Sequence, residues 1–226
     1  MADALPAPVR RQVLHDALGI GIATGLYGLS FGAVSVAAGL SVLQTCALSL
    51  LMFSGASQYA FVALASNGAA AIATAALLGA RNALYGLRMS GLLRIGGVRR
   101  IFGAQLVIDE STAMAIGRER DGEPASRLAF YATGASIYLL WNGLTLAGAL
   151  AAGALPDPRK FGLDAVAPAA FLALLAPRLR GRGPLGIAVA AAIIALVLTP
   201  FVPAGVPALA AAAAAVASLA FREAAP

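Results

Sequence analysis

The chain has one very long stretch without charge. From Ala17 to Ala80 it runs 64 residues without Asp, Glu, Lys, Arg or His, which excludes an ordinary soluble domain. About 20 apolar residues, at about 1.5 Å of helical rise each, cross the hydrocarbon core of a bilayer. This stretch therefore holds two passes and most of a third, and the sequence predicts a membrane protein.

Cysteine and lysine are also scarce. A single cysteine, Cys46, excludes an internal disulfide, and its apolar surroundings indicate a packed thiol. The net charge of +6 comes from 15 Arg and the single Lys160. Most of these residues form short clusters beside apolar segments, which is typical of cytoplasmic loops and not of a nucleic-acid surface.

Composition sets the fold class. With 60% hydrophobic residues, 12% charged residues and a mean hydropathy of +0.85, most of the surface is expected to face lipid. We predict an all-α polytopic integral membrane protein with about seven or eight transmembrane or re-entrant helices, at least one of them broken. The expected organisation is a cytoplasmic N-terminal tail at 1–16, a single transmembrane domain at 17–222 and a C-terminal tail at 223–226.

The apolar segments do not alternate cleanly with the basic clusters. Spans are predicted at 17–39, 43–66, 68–93, 129–152, 163–178, 185–201 and 204–221, with a shorter apolar segment at 101–117. An inside N-terminus followed by three complete passes would carry Arg94, Arg99 and Arg100 outside, against the positive-inside rule. Either one segment within 43–117 therefore re-enters the membrane, or 101–117 crosses it. Such irregular helices are common at transporter sites.

The first span carries a stripe of small residues. They are Gly21, Gly25, Gly28, Gly32, Ser35 and Gly39. Their alternating spacing of four and three residues places them on one helical face, which would let another helix approach closely. The pattern favours a packing seam over a surface that faces substrate.

The most specific polar group lies in the middle of the span 43–66. Ser54, Gly55, Ser57 and Gln58 put two hydroxyls and a carboxamide around a glycine near the bilayer midplane. They could open the helix and bind the amino or carboxylate group of a substrate, or they could form ordinary interhelical hydrogen bonds. Both interpretations stay open.

Charged residues inside apolar segments complete the candidate site. Arg81, followed by Asn82, needs a partner or water in the membrane, and the available acids are Asp109, Glu110 and Asp164. Asp164 could instead cap a helix, and Asp109-Glu110 could form an interfacial turn.

The sequence resembles the AzlC-type branched-chain amino acid permeases, the large subunit of a two-component branched-chain amino acid exporter. The resemblance covers nearly the whole chain and rests on an ordered set of motifs: Gly28 to Gly32, Phe53 to Gln58, Arg81 to Gly86, Asp109-Glu110, Tyr138 with Trp141 to Gly143, and Gly162 to Phe171. Two residues depart from the family pattern. Asn82 stands where many relatives have histidine, and Ser111 stands where threonine is usual, which bears on substrate identity.

The resemblance implies export of valine, leucine and isoleucine, with methionine as a further candidate substrate. It also implies a separately encoded small membrane partner of the AzlD type and a bacterial cytoplasmic membrane location with the N-terminus inside. In the resulting hypothesis Ser54, Gly55, Ser57, Gln58, Arg81 and Asn82 bind the substrate. Asp109, Glu110 or Asp164 would take up a coupling proton, and no cofactor is required.

The same residues bear on two other function classes. A membrane serine protease lacks a base, because the only histidine, His15, precedes the first span and Lys160 lies in a loop. The alternative that stays open is a passive channel, or a membrane subunit for another small solute.

Overall fold

Helices make up the secondary structure of the protein. The computed structural model describes residues 5–65, 68–94, 96–154, 172, 175–202, 206–207 and 210–214, and these ranges contain no strand. The helices are α1 (Ala7–Ala37), α2 (Val42–Leu51), α3 (Gly55–Ala63), α4 (Gly68–Leu93), α5 (Arg99–Gln105), α6 (Asp109–Gly117), α7 (Glu123–Ala154) and α8 (Arg182–Leu198), with short 3₁₀ turns at Glu119–Asp121 and Ala176–Leu179. The predicted all-helical class is confirmed for these ranges.

Several predicted spans match helices. The span 68–93 coincides with α4, 129–152 lies within α7, and α8 covers most of 185–201. The first helix begins at Ala7, inside the predicted tail 1–16, and ends at Ala37 because Gly39 adopts a left-handed conformation with φ 97°. The predicted spans 163–178 and 204–221 lie largely outside the described residues, and the number of passes stays a prediction.

Two of the described helices, α1 and α7, are long and apolar enough to cross a membrane. Along α1, Leu14, Leu18, Ile22 and Leu26 are between 41% and 56% exposed. The small-residue stripe is buried from Gly21 to Ser35, whereas Gly39, beyond the end of the helix, is exposed. A helix with leucine on its outer face and glycine on its inner face has the surface expected in lipid. Small residues at the inner face let two helix backbones pack closely, which is how helices associate in a membrane.

Helices α1 and α7 run parallel and pack closely along the glycine stripe. A Cβ added at Gly21 would lie 2.6 Å from Ser136 Oγ, and one at Gly28 would lie 2.6 Å from the Trp141 carbonyl oxygen. Both distances are well below van der Waals contact, so only glycine permits this approach. The predicted packing seam is confirmed.

The segment 43–66 is not a continuous span. It divides into α2 and α3, which are separated by Met52–Ser54. The helix is therefore opened next to the polar group around Gly55, which was one of the two interpretations left open by the sequence. Helix α3 packs on α4, with Ser57 against Gly79, and only four residues separate its end at Ala63 from the start of α4 at Gly68. Two helices that pack on each other across so short a connection run antiparallel.

The segment 101–117 is broken in the same way. Helices α5 and α6 are separated by Leu106–Ile108. Helix α6 packs on α7, and only five residues separate its end at Gly117 from the start of α7 at Glu123, so the two helices form an antiparallel pair. In agreement, Leu106, which precedes α6, packs on Gly134, well inside α7.

Charged residues gather at one end of the helix bundle. Arg118 pairs with Asp16 at 3.0 Å, Arg88 pairs with Glu119, and Arg127 Nε donates to the Leu93 carbonyl oxygen at 2.8 Å. These contacts bring together the early part of α1, the end of α4, the residues after α6 and the start of α7. We call this region the charged end.

We predict that Gly28→Leu destabilises the protein by about 1–3 kcal/mol or more, because the added side chain meets the backbone of α7. The measurement is the midpoint of thermal unfolding in detergent. Gly19→Leu on the same helix is the matched control, since a Cβ there has no neighbour within 4 Å among the described residues. Equal midpoints for the two variants would contradict the proposed seam.

Candidate functional site

The break between α2 and α3 leaves carbonyl groups that need donors. Met52 has φ −99° and ψ 70°, and Ser54 has φ −154° and ψ 101°, so the chain leaves helical geometry before α3 begins at Gly55. The last carbonyls of a helix have no intrahelical partner, and an unsatisfied one is costly where water is absent. Side chains from three other parts of the chain supply the missing donors.

Gln58 holds the break from inside. Its side chain is fully buried, and Nε2 donates to the Ser49 carbonyl at 3.3 Å and the Met52 carbonyl at 2.5 Å. Its Oε1 accepts from Trp141 Nε1 at 3.0 Å. The amide predicted to contact substrate is therefore occupied by the protein in this conformation, and it links both sides of the break to α7.

Gly55 serves the same close packing. A Cβ at this position would lie 3.0 Å from the ring of Trp141, which itself stacks on Phe31 with ring centroids 6.1 Å apart. Gly55 and Gln58 thus lie on the side of α3 that faces α1 and α7.

Two further donors meet at one carbonyl. The Leu50 carbonyl oxygen accepts from Gln105 Nε2 at 2.8 Å and from the Tyr138 hydroxyl at 3.2 Å. Gln105 was not among the predicted site residues. The signal available in the sequence was a lone carboxamide within the apolar segment 101–117, four residues before Asp109.

A cavity of about 530 Å³ opens between the two breaks. Its walls come from both breaks and from α4. Four of its lining residues are polar, namely Ser54, Ser57, Asn82 and Gln105, and the others are Leu51, Met52, Phe53, Phe61, Ile72, Ala75, Ala76, Gly79, Ala80, Ala104 and Val107. Three predicted site residues, Ser54, Ser57 and Asn82, therefore share one cavity.

The two serines contact each other. Ser57 Oγ donates to Ser54 Oγ at 3.2 Å, and both side chains are buried. Gly79 on α4 permits this arrangement, since a Cβ there would lie 3.2 Å from Ser57 Oγ. Asn82 lies one turn further along α4, and its buried Oδ1 has no hydrogen-bond partner among the described residues. A buried acceptor without a partner is unusual in a native structure, which marks Asn82 as a candidate binding residue.

An ion pair lies beside the cavity. Arg81 Nη1 lies 3.1 Å from Asp109 Oδ2, with the two side chains 37% and 32% exposed. Within the described ranges, Arg81 Nε and Asp109 Oδ1 are buried without a hydrogen-bond partner. Of the three acids that the sequence gave as candidate partners for Arg81, Asp109 is the one that pairs with it.

The remaining acids are placed differently. Glu110 is the second residue of α6, next to Asp109, and does not line the cavity. Adjacent helical residues point about 100° apart, so the two carboxylates do not share one direction. Asp164 lies outside the described residues.

The class of protein follows from these observations. The outward-facing leucines of α1 and the cavity between two interrupted helix pairs are features that are common in membrane transport proteins. A family model described as AzlC protein matches residues 19–155, which is more than half of the chain.

This protein belongs to the AzlC family, a membrane transport family related to the branched-chain amino acid permeases. The matched range contains both breaks, the cavity and every predicted site residue except Asp164. The family expected from the motifs is therefore confirmed. No significant match to this chain was found among curated proteins or among solved structures.

We predict that Gln58→Ala lowers the free energy of unfolding by about 1–3 kcal/mol or more, because it leaves the Ser49 carbonyl and the Trp141 N–H without partners in a buried site. Thermal unfolding in detergent measures the loss. Gln12→Ala, on the exposed side of α1, is the control and should behave like the unaltered protein. An unchanged midpoint for Gln58→Ala would show that the break is held by other contacts.

Proposed function

We propose that this chain is a secondary transporter that exports branched-chain amino acids across the bacterial cytoplasmic membrane. The observation that supports this most directly is the cavity beside the Arg81–Asp109 pair. Its volume of about 530 Å³ falls in the usual range for small-molecule sites. Its walls are apolar except for a few polar groups, which suits a zwitterion with an apolar side chain.

The two chemistries of the cavity suggest how such a substrate binds. Phe61, Ile72 and Val107 offer apolar contact to a branched side chain, with valine, leucine and isoleucine as expected substrates and methionine as a further candidate. The unoccupied Oδ1 of Asn82 is suited to accept from the substrate ammonium. Ser54 and Ser57 can donate to the carboxylate by rotating their hydroxyls.

The ion pair provides charge next to this site. Arg81 Nε has no acceptor among the described residues, and a guanidinium binds carboxylates through charge-assisted hydrogen bonds. A substrate carboxylate would then compete with Asp109 for Arg81. Asp109, released from that pair, is the first candidate for carrying the coupling proton, while Glu110 and Asp164 are the others.

The charged end supports an orientation. It contains Arg88, Arg118 and Arg127, and basic residues accumulate on the cytoplasmic side of a membrane protein. We place the start of α1 at the cytoplasmic face, with several further passes. A small AzlD-type membrane subunit is the proposed partner.

The test is efflux of radiolabelled valine from proteoliposomes, with and without a proton gradient, using this chain alone and with the small membrane protein encoded beside it. Saturable efflux that responds to the gradient and needs both chains is the expected result. Linear flux that follows only the valine gradient would indicate a passive channel instead. Absence of flux with folded protein would reject the substrate or the transport class.

We predict that Asn82→Ala and Arg81→Ala each lower the transport efficiency for valine about tenfold or more, because each removes a hydrogen bond to a charged group of the substrate, worth about 1.5–3 kcal/mol. Initial rates over a range of valine concentrations provide the measurement. Ser57→Ala is expected to have a smaller effect, since Ser54 keeps a hydroxyl in the cavity.

Ser90→Ala is the matched control for these variants. Its hydroxyl is exposed and bonds only to the Leu87 carbonyl of its own helix among the described residues, away from the cavity. Transport at the unaltered rate in Asn82→Ala and Arg81→Ala, at equal expression, would reject the assigned residues while leaving the family membership intact.

A further inference from the structure

The four short helices around the cavity are each about half the thickness of a membrane or shorter. Helices α2, α3, α5 and α6 contain 10, 9, 7 and 9 residues. At about 1.5 Å per residue they measure about 15, 14, 10 and 14 Å, whereas the hydrocarbon core is about 30 Å thick. No single one of them can cross, so each pair must either cross as a broken helix or turn back.

The neighbours of α2–α3 show that this pair turns back. Helix α1 leads away from the charged end, and only four residues separate its last residue, Ala37, from the start of α2 at Val42. Helix α4 leads toward the charged end, where the Leu93 carbonyl binds Arg127. Because α3 is antiparallel to α4, α3 leads away from the charged end. The pair therefore starts and finishes at the far end of the bundle.

The α5–α6 pair has the opposite course. It follows Leu93 at the charged end, reaches its break at Leu106–Ile108, and returns to Arg118, which binds Asp16 at the charged end. Its two ends therefore lie on the side where α1 begins.

The two breaks meet beside the cavity. Gln105, at the end of α5, donates to the Leu50 carbonyl near the end of α2, and residues from both breaks line the same cavity. Non-helical backbone at membrane depth requires protein to cover it and satisfy its polar groups. Gln58, Tyr138 and Gln105 do this for the break in α2–α3.

We infer that α2–α3 and α5–α6 are two re-entrant hairpins that enter the membrane from opposite faces, and that the substrate site is the cavity between their tips. Each hairpin then stands between the cavity and one aqueous side. The assignment of substrate to this cavity rests on the proposed function, whereas the course of the hairpins does not. The arrangement also removes the conflict in the charge pattern, because Arg94, Arg99 and Arg100 fall on the same face as Arg118, Arg120 and Arg127.

Single cysteines labelled from one side of the membrane test this topology. In the full chain with Cys46→Ala, we place Ala38→Cys and Ala69→Cys around the first hairpin and Arg99→Cys and Arg120→Cys around the second, all at exposed positions. The probe is a membrane-impermeant maleimide, applied to right-side-out and to inverted vesicles.

The expected result is that the first pair reacts only in right-side-out vesicles and the second pair only in inverted ones. Opposite sidedness within either pair would overturn the inference, since that hairpin would cross the membrane. Labelling requires no transport, so the outcome is separate from the valine assay. If the labelling pattern is as expected and valine is not transported, the hairpins stand and the proposed substrate is rejected.

Discussion

The need to satisfy backbone carbonyls away from water shapes the centre of this protein. Where α2 ends, the carbonyls of Ser49, Leu50 and Met52 point at side chains and not at a continuing helix. Gln58 binds two of them and fixes itself to Trp141, so it cannot leave without exposing buried polar groups. The broken helix persists because other helices complete its hydrogen bonds.

The carbonyl of Leu50 differs from those of Ser49 and Met52 because two side chains donate to it, Gln105 and Tyr138. When a carbonyl oxygen accepts two hydrogen bonds, losing one donor costs less than losing a sole donor, because the oxygen keeps one hydrogen-bond partner. Gln105 lines the cavity and belongs to the other break, so this hydrogen bond connects the two hairpins where movement would alter access to the cavity.

Part of the candidate site could be read from residue types alone. Polar groups at membrane depth are costly, so Ser54, Ser57, Asn82 and Arg81 stood out against their apolar surroundings. Which of the polar residues face the cavity, and which face another helix, could not be predicted. Gln58 lies within one helical turn of Ser54, yet it faces α7 and is occupied by the protein, whereas Ser54 and Ser57 face the cavity. Gln105 was missed because its partner is a backbone carbonyl more than 50 residues away, which leaves no local pattern.

The sequence by itself determined the helical class, the membrane setting and the glycine seam, because hydropathy and the spacing of small residues act locally along one helix. It also showed that the charges between 43 and 117 conflict with complete crossings. Only the tertiary structure decided which segments turn back, because the direction of a short helix depends on its neighbours. The deciding contacts are the hydrogen bond from Arg127 to the Leu93 carbonyl, the packing of Ser57 against Gly79, and the ion pair of Arg118 with Asp16. Those contacts join residues far apart in the chain, and they turn two interrupted segments into opposed halves of one cavity.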